Sequence, residues 1–299
     1  MEYVIGVDVG GTKINAALID ESGEIIEKVK ITTDADKGRE VVLSNIKKAI
    51  YKLPYKNAKA IGIGTPGFID SKNGIVTFAG NIEGRTGLNL KKAVEEFVDK
   101  EVFVENDANV ALLCEKWVGS AKNYDSVVMI TLGTGLGGAI YTKEGGLLSG
   151  AHFQGGELGH MILYPNGRKC TCGQNGCAEA YCAGSGITSS YFEKTGFTLS
   201  GEEIFNRADI DEKAKEVLEE YQFNLANYLS SLRNIFDPEA IIIGGGVINS
   251  KNIWWDGMID QYYKVCNKPD AVSVIPATYL NDSGVIGAGK AAFDRSRNV

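Results

Sequence analysis

One short loop carries three cysteines and two glycines, in the stretch Cys170-Thr-Cys172-Gly-Gln-Asn-Gly-Cys177. Three thiolates and one imidazole make a closed tetrahedral Zn²⁺ site, and the glycines allow the chain to wrap tightly around an ion. His160 lies ten residues before the loop and is the better fourth ligand, while Cys182 is its rival. The spacing therefore predicts a structural zinc site on His160, Cys170, Cys172 and Cys177, rather than a mere cluster of reduced thiols.

Three glycine-rich turns could bring backbone N–H groups close to a phosphate. They are Asp8-Val-Gly10-Gly11-Thr12-Lys13, Gly133-Thr134-Gly135-Leu-Gly-Gly138 and Gly244-Gly245-Gly246. Thr12 adds a hydroxyl donor, and Asp8 could hold Mg²⁺ through water, because this ion prefers carboxylates and retained waters. None of the turns matches the Walker pattern, and each one alone could be a simple hairpin turn. Together they favour a nucleotide held between two similar halves of the chain.

A carboxylate at the junction of a predicted strand and a predicted helix could act as a general base. Asp107, in the stretch Glu105-Asn106-Asp107-Ala-Asn109, falls at the expected N-terminus of the helix. An alcohol that attacks a phosphoryl group must lose its proton, and a positioned carboxylate can accept it, while Asn106 could bind the same molecule. The alternative is that Asp107 only caps the helix, since aspartate is a favoured N-cap residue. Both roles are compatible, because one oxygen can cap while the other faces a substrate.

Alternating strands and helices must position these residues. The pattern of apolar residues predicts strands at 3–9, 13–20, 24–32, 58–64, 101–105, 126–132, 137–142, 240–243 and 272–275. It predicts helices near 39–53, 107–119, 212–235 and 283–295. Asp237-Pro238 ends the long helix near 212–235, because the residue before a proline disfavours the helical conformation.

The chain repeats one strand–turn–strand unit. The stretches 4–23 and 127–146 superimpose at a constant offset of 123, which aligns Gly10 with Gly133 and Ala16 with Ala139. Two matching hairpins at the heads of two halves predict a duplicated α/β domain, although hairpins are common enough for coincidence to be the alternative. No linker rich in serine or proline separates the halves, so two closely packed domains are expected.

Composition narrows the class of protein. The chain has 299 residues, of which 44% are hydrophobic and 23% charged, so it is long enough for two globular domains. A net charge of -7 without a dense basic run argues against a nucleic-acid surface. The sequence opens directly on a predicted strand, and no apolar run approaches the ~20 residues that a membrane span needs. We expect a cytoplasmic protein, in which the six cysteines do not form a disulfide framework.

Five motifs occur in a fixed order along the chain: Asp8–Lys13, Glu105–Asn109, Leu132–Gly138, Gly156–His160 and Cys170–Glu179. This set resembles the ROK family of repressors, open reading frames and sugar kinases, over about residues 3–290. The resemblance implies an α/β protein with the two-domain actin-like ATPase, ribonuclease H-like fold and an inter-domain cleft. A small domain is expected at 1–109, completed by the C-terminal helix 283–299, and a large domain with the zinc loop at 110–282.

The resemblance also implies an ATP-dependent hexose kinase, glucokinase-like, that phosphorylates the 6-hydroxyl with Mg²⁺ as the catalytic ion and Zn²⁺ as a structural ion. Asp107 matches the catalytic base of the family. The sugar-binding positions match Gly67, Asn81, Asn106, Asp107, Glu157, His160 and Glu179. The positions around ATP match Asp8, Gly10, Gly11, Thr12, Lys13, Thr134, Gly135, Gly244, Gly245 and Gly246. His160 would then bind zinc through one ring nitrogen and sugar through the other.

One segment departs from the family pattern. Many glucokinases of the family have Asn-x-Pro-Gly-Trp where this chain has Asn81-Ile-Glu-Gly-Arg85, so the preference for glucose over another hexose, a hexosamine or a β-glucoside is open. Repressors of the family carry a DNA-binding segment before the first phosphate loop, and only seven residues precede Asp8 here. A sugar-binding protein without catalysis is the remote alternative. The expected partners are a small sugar and further copies of this chain in a dimer or tetramer, with no nucleic acid and no membrane.

Overall fold

The structure, a computed structural model, describes residues 2–79 and 86–297. Asn81, which was predicted to line the sugar pocket, and the rest of the segment that departs from the family pattern, up to Arg85, lie outside the described residues. The residues group into two compact units. Unit 1 comprises Met1–Asn123, Ser149–Gly155 and Thr278–Val299, and unit 2 comprises Tyr124–Leu148 and Gly156–Ala277. The domain boundaries expected from the sequence stay a prediction.

Strands and helices alternate along most of the described chain. The strands are β1 (Tyr3–Val9), β2 (Lys13–Asp20), β3 (Ile25–Thr32), β4 (Ala60–Thr65), β5 (Phe68–Asp70), β6 (Ile75–Phe78), β7 (Leu88–Asn89), β8 (Glu101–Asn106), β9 (Ser126–Leu132), β10 (Leu136–Thr142), β11 (Gly146–Leu147), β12 (Ala240–Gly244) and β13 (Ser273–Pro276). The helices are α1 (Arg39–Tyr51), α2 (Leu90–Glu95), α3 (Asp107–Trp117), α4 (Glu179–Cys182), α5 (Gly184–Thr195), α6 (Gly201–Asn206), α7 (Glu212–Phe236), α8 (Lys251–Val265) and α9 (Ser283–Ser296).

Each predicted strand and helix is confirmed, with bounds that differ by at most two residues from those expected. The short strands β5, β6, β7 and β11 were not predicted, and neither were the helices α2, α4, α5, α6 and α8.

Unit 1 is built on a five-stranded sheet in the order β3-β2-β1-β4-β8, in which β1, β4 and β8 are parallel. One face packs on α1, and the other packs on α9 with unusually close backbone contact. A Cβ atom at Gly6 would lie 1.9 Å from the carbonyl oxygen of Val285, and one at Gly62 would lie 1.8 Å from that of Ala288. Glycine at these two strand positions therefore lets α9 lie directly on the sheet.

Unit 2 repeats the same topology. Its sheet has the order β11-β10-β9-β12-β13, in which β9 and β10 form an antiparallel hairpin, β12 is parallel to β9, and β13 is parallel to β12. The hairpin β1–β2 of unit 1 occupies the equivalent place in its own sheet. This correspondence agrees with the internal repeat found in the sequence. The core of unit 2 is completed by α7 and α8, which bury Tyr221, Tyr228 and Trp254.

Candidate active site

The turn from β8 into α3 holds the predicted general base. Asn106 is the N-cap residue of α3, because its side-chain oxygen accepts hydrogen bonds from the N–H groups of Ala108 and Asn109 at 2.9 and 3.2 Å. Its Nδ2 donates to the carbonyl oxygen of Gly67 at 3.1 Å. The interpretation of Asp107 as the helix cap is therefore wrong. The cap is the preceding asparagine, so the carboxylate of Asp107 is not needed for this purpose.

Asp107 lies in the first turn of α3. Its Oδ1 accepts a hydrogen bond from the N–H of Ala108 at 2.9 Å, and the residue keeps solvent-exposed surface, as a group that must meet a substrate requires. The surrounding protein nevertheless displaces bulk water, and this desolvation raises the pKa of the Asp107 carboxyl, although hydrogen bonds to the ionised form oppose the shift. A raised pKa suits a group that alternately accepts and releases a proton.

Gly67, a predicted sugar-pocket residue, lies beside Asn106 through the hydrogen bond just described. Its φ angle of 110° belongs to a region that favours glycine. A Cβ atom at this position would lie only 2.2 Å from the carbonyl oxygen of Phe78. The structure therefore brings Gly67, Asn106 and Asp107 together within unit 1, and it requires glycine at the first of them.

The first glycine-rich turn joins β1 to β2. The N–H of Gly10 donates to the carbonyl oxygen of Lys13 at 2.9 Å, and Gly11, Thr12 and Lys13 are exposed. A Cβ at Gly11 would meet no atom within 4 Å, so this side of the turn is open to a ligand. The predicted phosphate-binding residues thus present their backbone at the surface of unit 1.

Asp8 lies near the end of β1, just before this turn. Its Oδ2 accepts a hydrogen bond from Nδ2 of Asn15 at 3.3 Å. Burial raises the pKa of Asp8 to about 6, and the negative charge of Asp107 adds to the shift. A Cβ at Gly284, in the first turn of α9, would lie 2.6 Å from the carboxyl carbon of Asp8. A buried carboxylate of this kind gains from a bound cation, which fits the predicted role near Mg²⁺.

A cavity of about 610 Å³ lies in unit 2 next to the second glycine-rich turn. It is lined by Gly133 and Thr134 of that turn, by Gly246 of the third turn, and by Phe205 and Val247 as apolar walls. Its volume and mixed lining are typical of a small-molecule site. Several lining residues were not predicted, among them Ser185, Glu202, Asn249 and Ser250. They come from α5, α6 and the turn before α8, and none of them belongs to the three glycine-rich turns predicted from the sequence.

The third glycine-rich turn contributes less to the cavity than expected. Gly246 lines it, while Gly244 and Gly245 do not appear among its walls. A Cβ at Gly245 would lie 2.5 Å from the backbone nitrogen of Leu132, so this glycine serves close packing of the turn on β9. A direct role of Gly244 and Gly245 in binding adenosine stays a prediction.

The predicted metal ligands lie together in unit 2. One ligand atom from each of His160, Cys170, Cys172 and Cys177 lies within 4.8 Å of all the others. The Sγ atoms of Cys172 and Cys177 are 3.6 Å apart, and Sγ of Cys170 is 3.7 Å from Nδ1 of His160. Three thiols and one imidazole are a donor set that fits Zn²⁺ in a closed structural site. Cys182, the rival fourth ligand, is buried and is not part of this group.

The two ring nitrogens of His160 face different neighbours. Nδ1 is the nitrogen near Cys170, and Nε2 lies 3.9 Å from Oε2 of Glu157. Each nitrogen can therefore take a separate partner, as the prediction of a residue with two roles requires. Glu157 itself precedes the short helical turn Leu158–His160 that carries the imidazole.

Glu179 connects the metal cluster with the second glycine-rich turn. Its Oε2 accepts a hydrogen bond from the N–H of Leu136 at 2.9 Å, and its Oε1 lies 3.5 Å from Sγ of Cys170. A Cβ at Gly135 would lie 2.6 Å from Oε2 of Glu179, so this turn accepts the carboxylate only because residue 135 is glycine. A displacement of the cysteine loop would thus reach the second glycine-rich turn through one side chain.

No helix among residues 2–79 and 86–297 is both long and apolar enough to span a membrane.

The chain is similar over nearly its whole length to known sugar kinases. The chain is 33% identical to the glucokinase of Thermotoga maritima, with 98% of each chain covered. A crystal structure of the ROK hexokinase from Thermus thermophilus superimposes with a TM-score of 0.89 at 31% identity, covering 99% of this chain and all of that one. A ROK family glucokinase from Streptomyces griseus, in complex with glucose and AMPPNP, gives a TM-score of 0.84 at 32% identity, covering 98% and 99%.

These structural neighbours confirm the predicted fold class, the actin-like ATPase and sugar kinase fold. The sequence model of the ROK family matches residues 4–294, nearly the whole chain. The protein belongs to the ROK family.

Proposed function

We propose that this chain is an ATP-dependent hexose kinase that transfers the γ-phosphoryl group of ATP to the 6-hydroxyl of glucose. The similarity to glucokinases over the full chain supports the class of reaction. The observation that carries the proposal is the turn between β8 and α3. There, Asn106 caps the helix and leaves the exposed carboxylate of Asp107 available for chemistry.

Asp107 accepts the proton of the sugar hydroxyl as that oxygen attacks phosphorus. The residues proposed to supply hydrogen bonds to the sugar ring are Gly67, Asn81, Asn106, Glu157, His160 and Glu179. Several acceptors and donors of this kind suit a polyhydroxylated ligand better than an apolar one. They also reject analogues that lack a hydroxyl, because a buried polar group is then left without a partner.

The donor side uses the glycine-rich turns. The cavity of about 610 Å³ takes the nucleoside of ATP, with Phe205 and Val247 as its apolar walls. Backbone N–H groups of the two hairpin turns bind the phosphates, through Gly10, Gly11, Thr12, Lys13, Thr134 and Gly135. Mg²⁺, when bound with the nucleotide, neutralises phosphate charge, and Asp8 is the residue that would hold it through water.

His160, Cys170, Cys172 and Cys177 hold one structural Zn²⁺. The ion supplies no chemistry to the reaction, because four protein ligands leave no open position. Its effect is to fix the segments that carry Glu157, His160 and Glu179.

Three further proposals rest on the sequence and on the family resemblance. They are a homodimer or homotetramer, a cytoplasmic location, and domains at 1–109 with 283–299 and at 110–282.

The test of the proposed function is kcat/KM for a panel of sugars at saturating MgATP. The panel contains glucose, mannose, fructose, allose, N-acetylglucosamine, N-acetylmannosamine and a β-glucoside disaccharide. We expect glucose to be phosphorylated, and 2-deoxyglucose to be poorer by roughly 1–3 kcal/mol, the cost of one lost hydrogen-bond partner. If glucose ranks more than about a hundredfold below another sugar, a difference of ~2.7 kcal/mol, the glucokinase assignment is wrong. If no sugar is phosphorylated, the kinase assignment fails.

The pH dependence of kcat/KM is a second test. The base must be ionised to accept a proton, and desolvation raises the pKa of Asp107, so activity should fall with decreasing pH already above the ordinary aspartate pKa of about 3.9. Burial raises the pKa of Asp8 to about 6, so protonation of Asp8 should also contribute to the loss of activity at low pH. In Asp107→Asn, the remaining pH dependence of the residual activity should come from Asp8. Full activity of the wild type down to pH 4 would contradict the raised pKa of the base.

A further inference from the structure

The residue two positions before the proposed base in the sequence is a buried glutamate. Glu105, the residue before Asn106, keeps only 4% of its side chain exposed. Its Oε2 accepts a hydrogen bond of 2.6 Å from a terminal guanidinium nitrogen of Arg295, which lies 190 residues further along the chain near the end of α9. This is a charge-assisted contact between the strand that leads to the base and α9, which packs on the same face of the sheet as α3.

The other oxygen of Glu105 is bonded to the turn itself. Oε1 accepts from the N–H of Asn106 at 3.0 Å and from Nδ2 of Asn109 at 3.0 Å. These two donors lie on either side of Asp107 in the sequence. One oxygen of the Glu105 carboxylate thus binds residues on both sides of Asp107 in the sequence, and Arg295 binds the other oxygen of the same carboxylate.

Arg295 is itself fixed by the backbone. Its second terminal nitrogen donates to the carbonyl oxygens of Ser71 and Val104, at 3.0 and 3.4 Å. A guanidinium with three acceptors has little freedom to move, because its donors form a rigid fork. Lysine has one charged nitrogen and cannot reproduce this geometry. The position of the carboxylate of Glu105 is therefore set by three separate segments of unit 1.

We infer that Arg295 and Glu105 are positioning residues for the proposed phosphoryl transfer. Their ion pair holds the β8–α3 turn so that the Asp107 carboxylate and the Asn106 amide keep their places. The pair is only partly buried, because 31% of the Arg295 side chain is exposed, and the cost of desolvating the charges offsets much of their attraction, so its net contribution to stability is small. Orientation of the adjacent base is an effect that an apolar pair of the same volume would not give. The inference rests on the proposed function of Asp107.

The experiment compares five variants, one of them a matched control, with the wild type in steady-state kinetics and thermal unfolding. Arg295→Met and Glu105→Gln each break the pair, and Arg295→Lys keeps its charge. The double variant Glu105→Gln/Arg295→Met leaves no unpaired buried charge, so it stays folded even where a single variant does not. Arg297→Met is the matched control. It removes an arginine from the same end of the chain, whose contacts are an exposed pair with Glu2 and the ring of Phe293.

We expect the double variant to have a melting temperature within a few degrees of the wild type and a kcat at least about tenfold lower. KM for the sugar should rise with the displacement of Asn106, while KM for ATP should stay within about twofold. Arg295→Lys should recover part of kcat, and Arg297→Met should match the wild type. A double variant with wild-type kcat, or a kcat loss that only follows the folded fraction, would overturn the inference. If the wild type phosphorylates no sugar, the proposed function itself fails.

Discussion

Replacement of Asp107 by asparagine should lower kcat by ~10²–10⁴, the usual contribution of a positioned general base. The amide has the same shape and keeps an oxygen for the N–H of Ala108, but it cannot take a proton at neutral pH. The α3 cap is unaffected, because Asn106 provides it. KM for glucose and for ATP should therefore change by only a few fold. A variant that turns over at nearly the wild-type rate would remove Asp107 from the mechanism.

Thermal unfolding separates this result from a folding defect. Desolvation raises the pKa of Asp107, so at a pH above that value the ionised form disfavours the folded state. A neutral amide removes this penalty, and the melting temperature at neutral pH should be equal or higher. Asp211→Asn is the matched control, because Asp211 is an aspartate that does cap its helix, α7, through the N–H groups of Lys213 and Ala214. Its kcat should equal that of the wild type.

The main strands and the longest helices could be predicted from the sequence because each has a strong periodic signal. The bounds of β1, Tyr3–Val9, are those expected, since an apolar run ends there in a glycine-rich turn. In α7, apolar residues recur every three or four positions from Ala214 to Leu232, and Asp237-Pro238 ends the helix. Strong local patterns of this kind need no information from distant parts of the chain.

The missed helices have weak local signals. In α8 the buried stripe is Trp254, Met258 and Tyr262, at a helical spacing of four. Neighbouring residues such as Ile253 and Trp255 obscure this helical pattern, because aromatic and β-branched residues have a high propensity for strands. Helix α5 begins Gly-Ser-Gly and is rich in serine and threonine, which are poor helix formers. Its formation depends on packing against the rest of unit 2, including α7, and this cannot be read from composition.

The candidate site shows the same division between local and distant information. The cysteine loop and the glycine-rich turns could be predicted because the residues that define each of them are close together in the sequence. The sequence analysis considered Asp107 as the helix cap, whereas the cap is Asn106, because aspartate and asparagine are both favoured at that position. The sequence did not indicate a role for Arg295, because its hydrogen bond with Glu105 forms only when α9 packs on the sheet. Contacts across 190 residues follow from topology and not from a motif.

The metal centre provides the second large expected effect. Cys177→Ser should remove the bound zinc and lower kcat/KM for glucose by ~10² or more, because even residues that only support metal ligands are worth 10–100-fold. The structure extends the effect beyond the sugar. Glu179 lies between Cys170 and the N–H of Leu136, so a relaxed cysteine loop should also disturb the turn at Thr134 and Gly135. KM for ATP should therefore rise together with KM for glucose.

The zinc site and its effect on KM for ATP are tested by elemental analysis and by steady-state kinetics, with one control variant. Elemental analysis of the purified wild type should find one zinc per chain, and Cys177→Ser should contain none. Cys182→Ser is the control, because Cys182 is equally buried in the same unit but is not part of the ligand group. It should keep the metal and its KM values. Wild-type protein without zinc would contradict the metal site, and loss of zinc from Cys182→Ser would move the fourth ligand from His160 to Cys182. An unchanged KM for ATP in zinc-free Cys177→Ser would show that Glu179 does not transmit the state of the cysteine loop to the second glycine-rich turn.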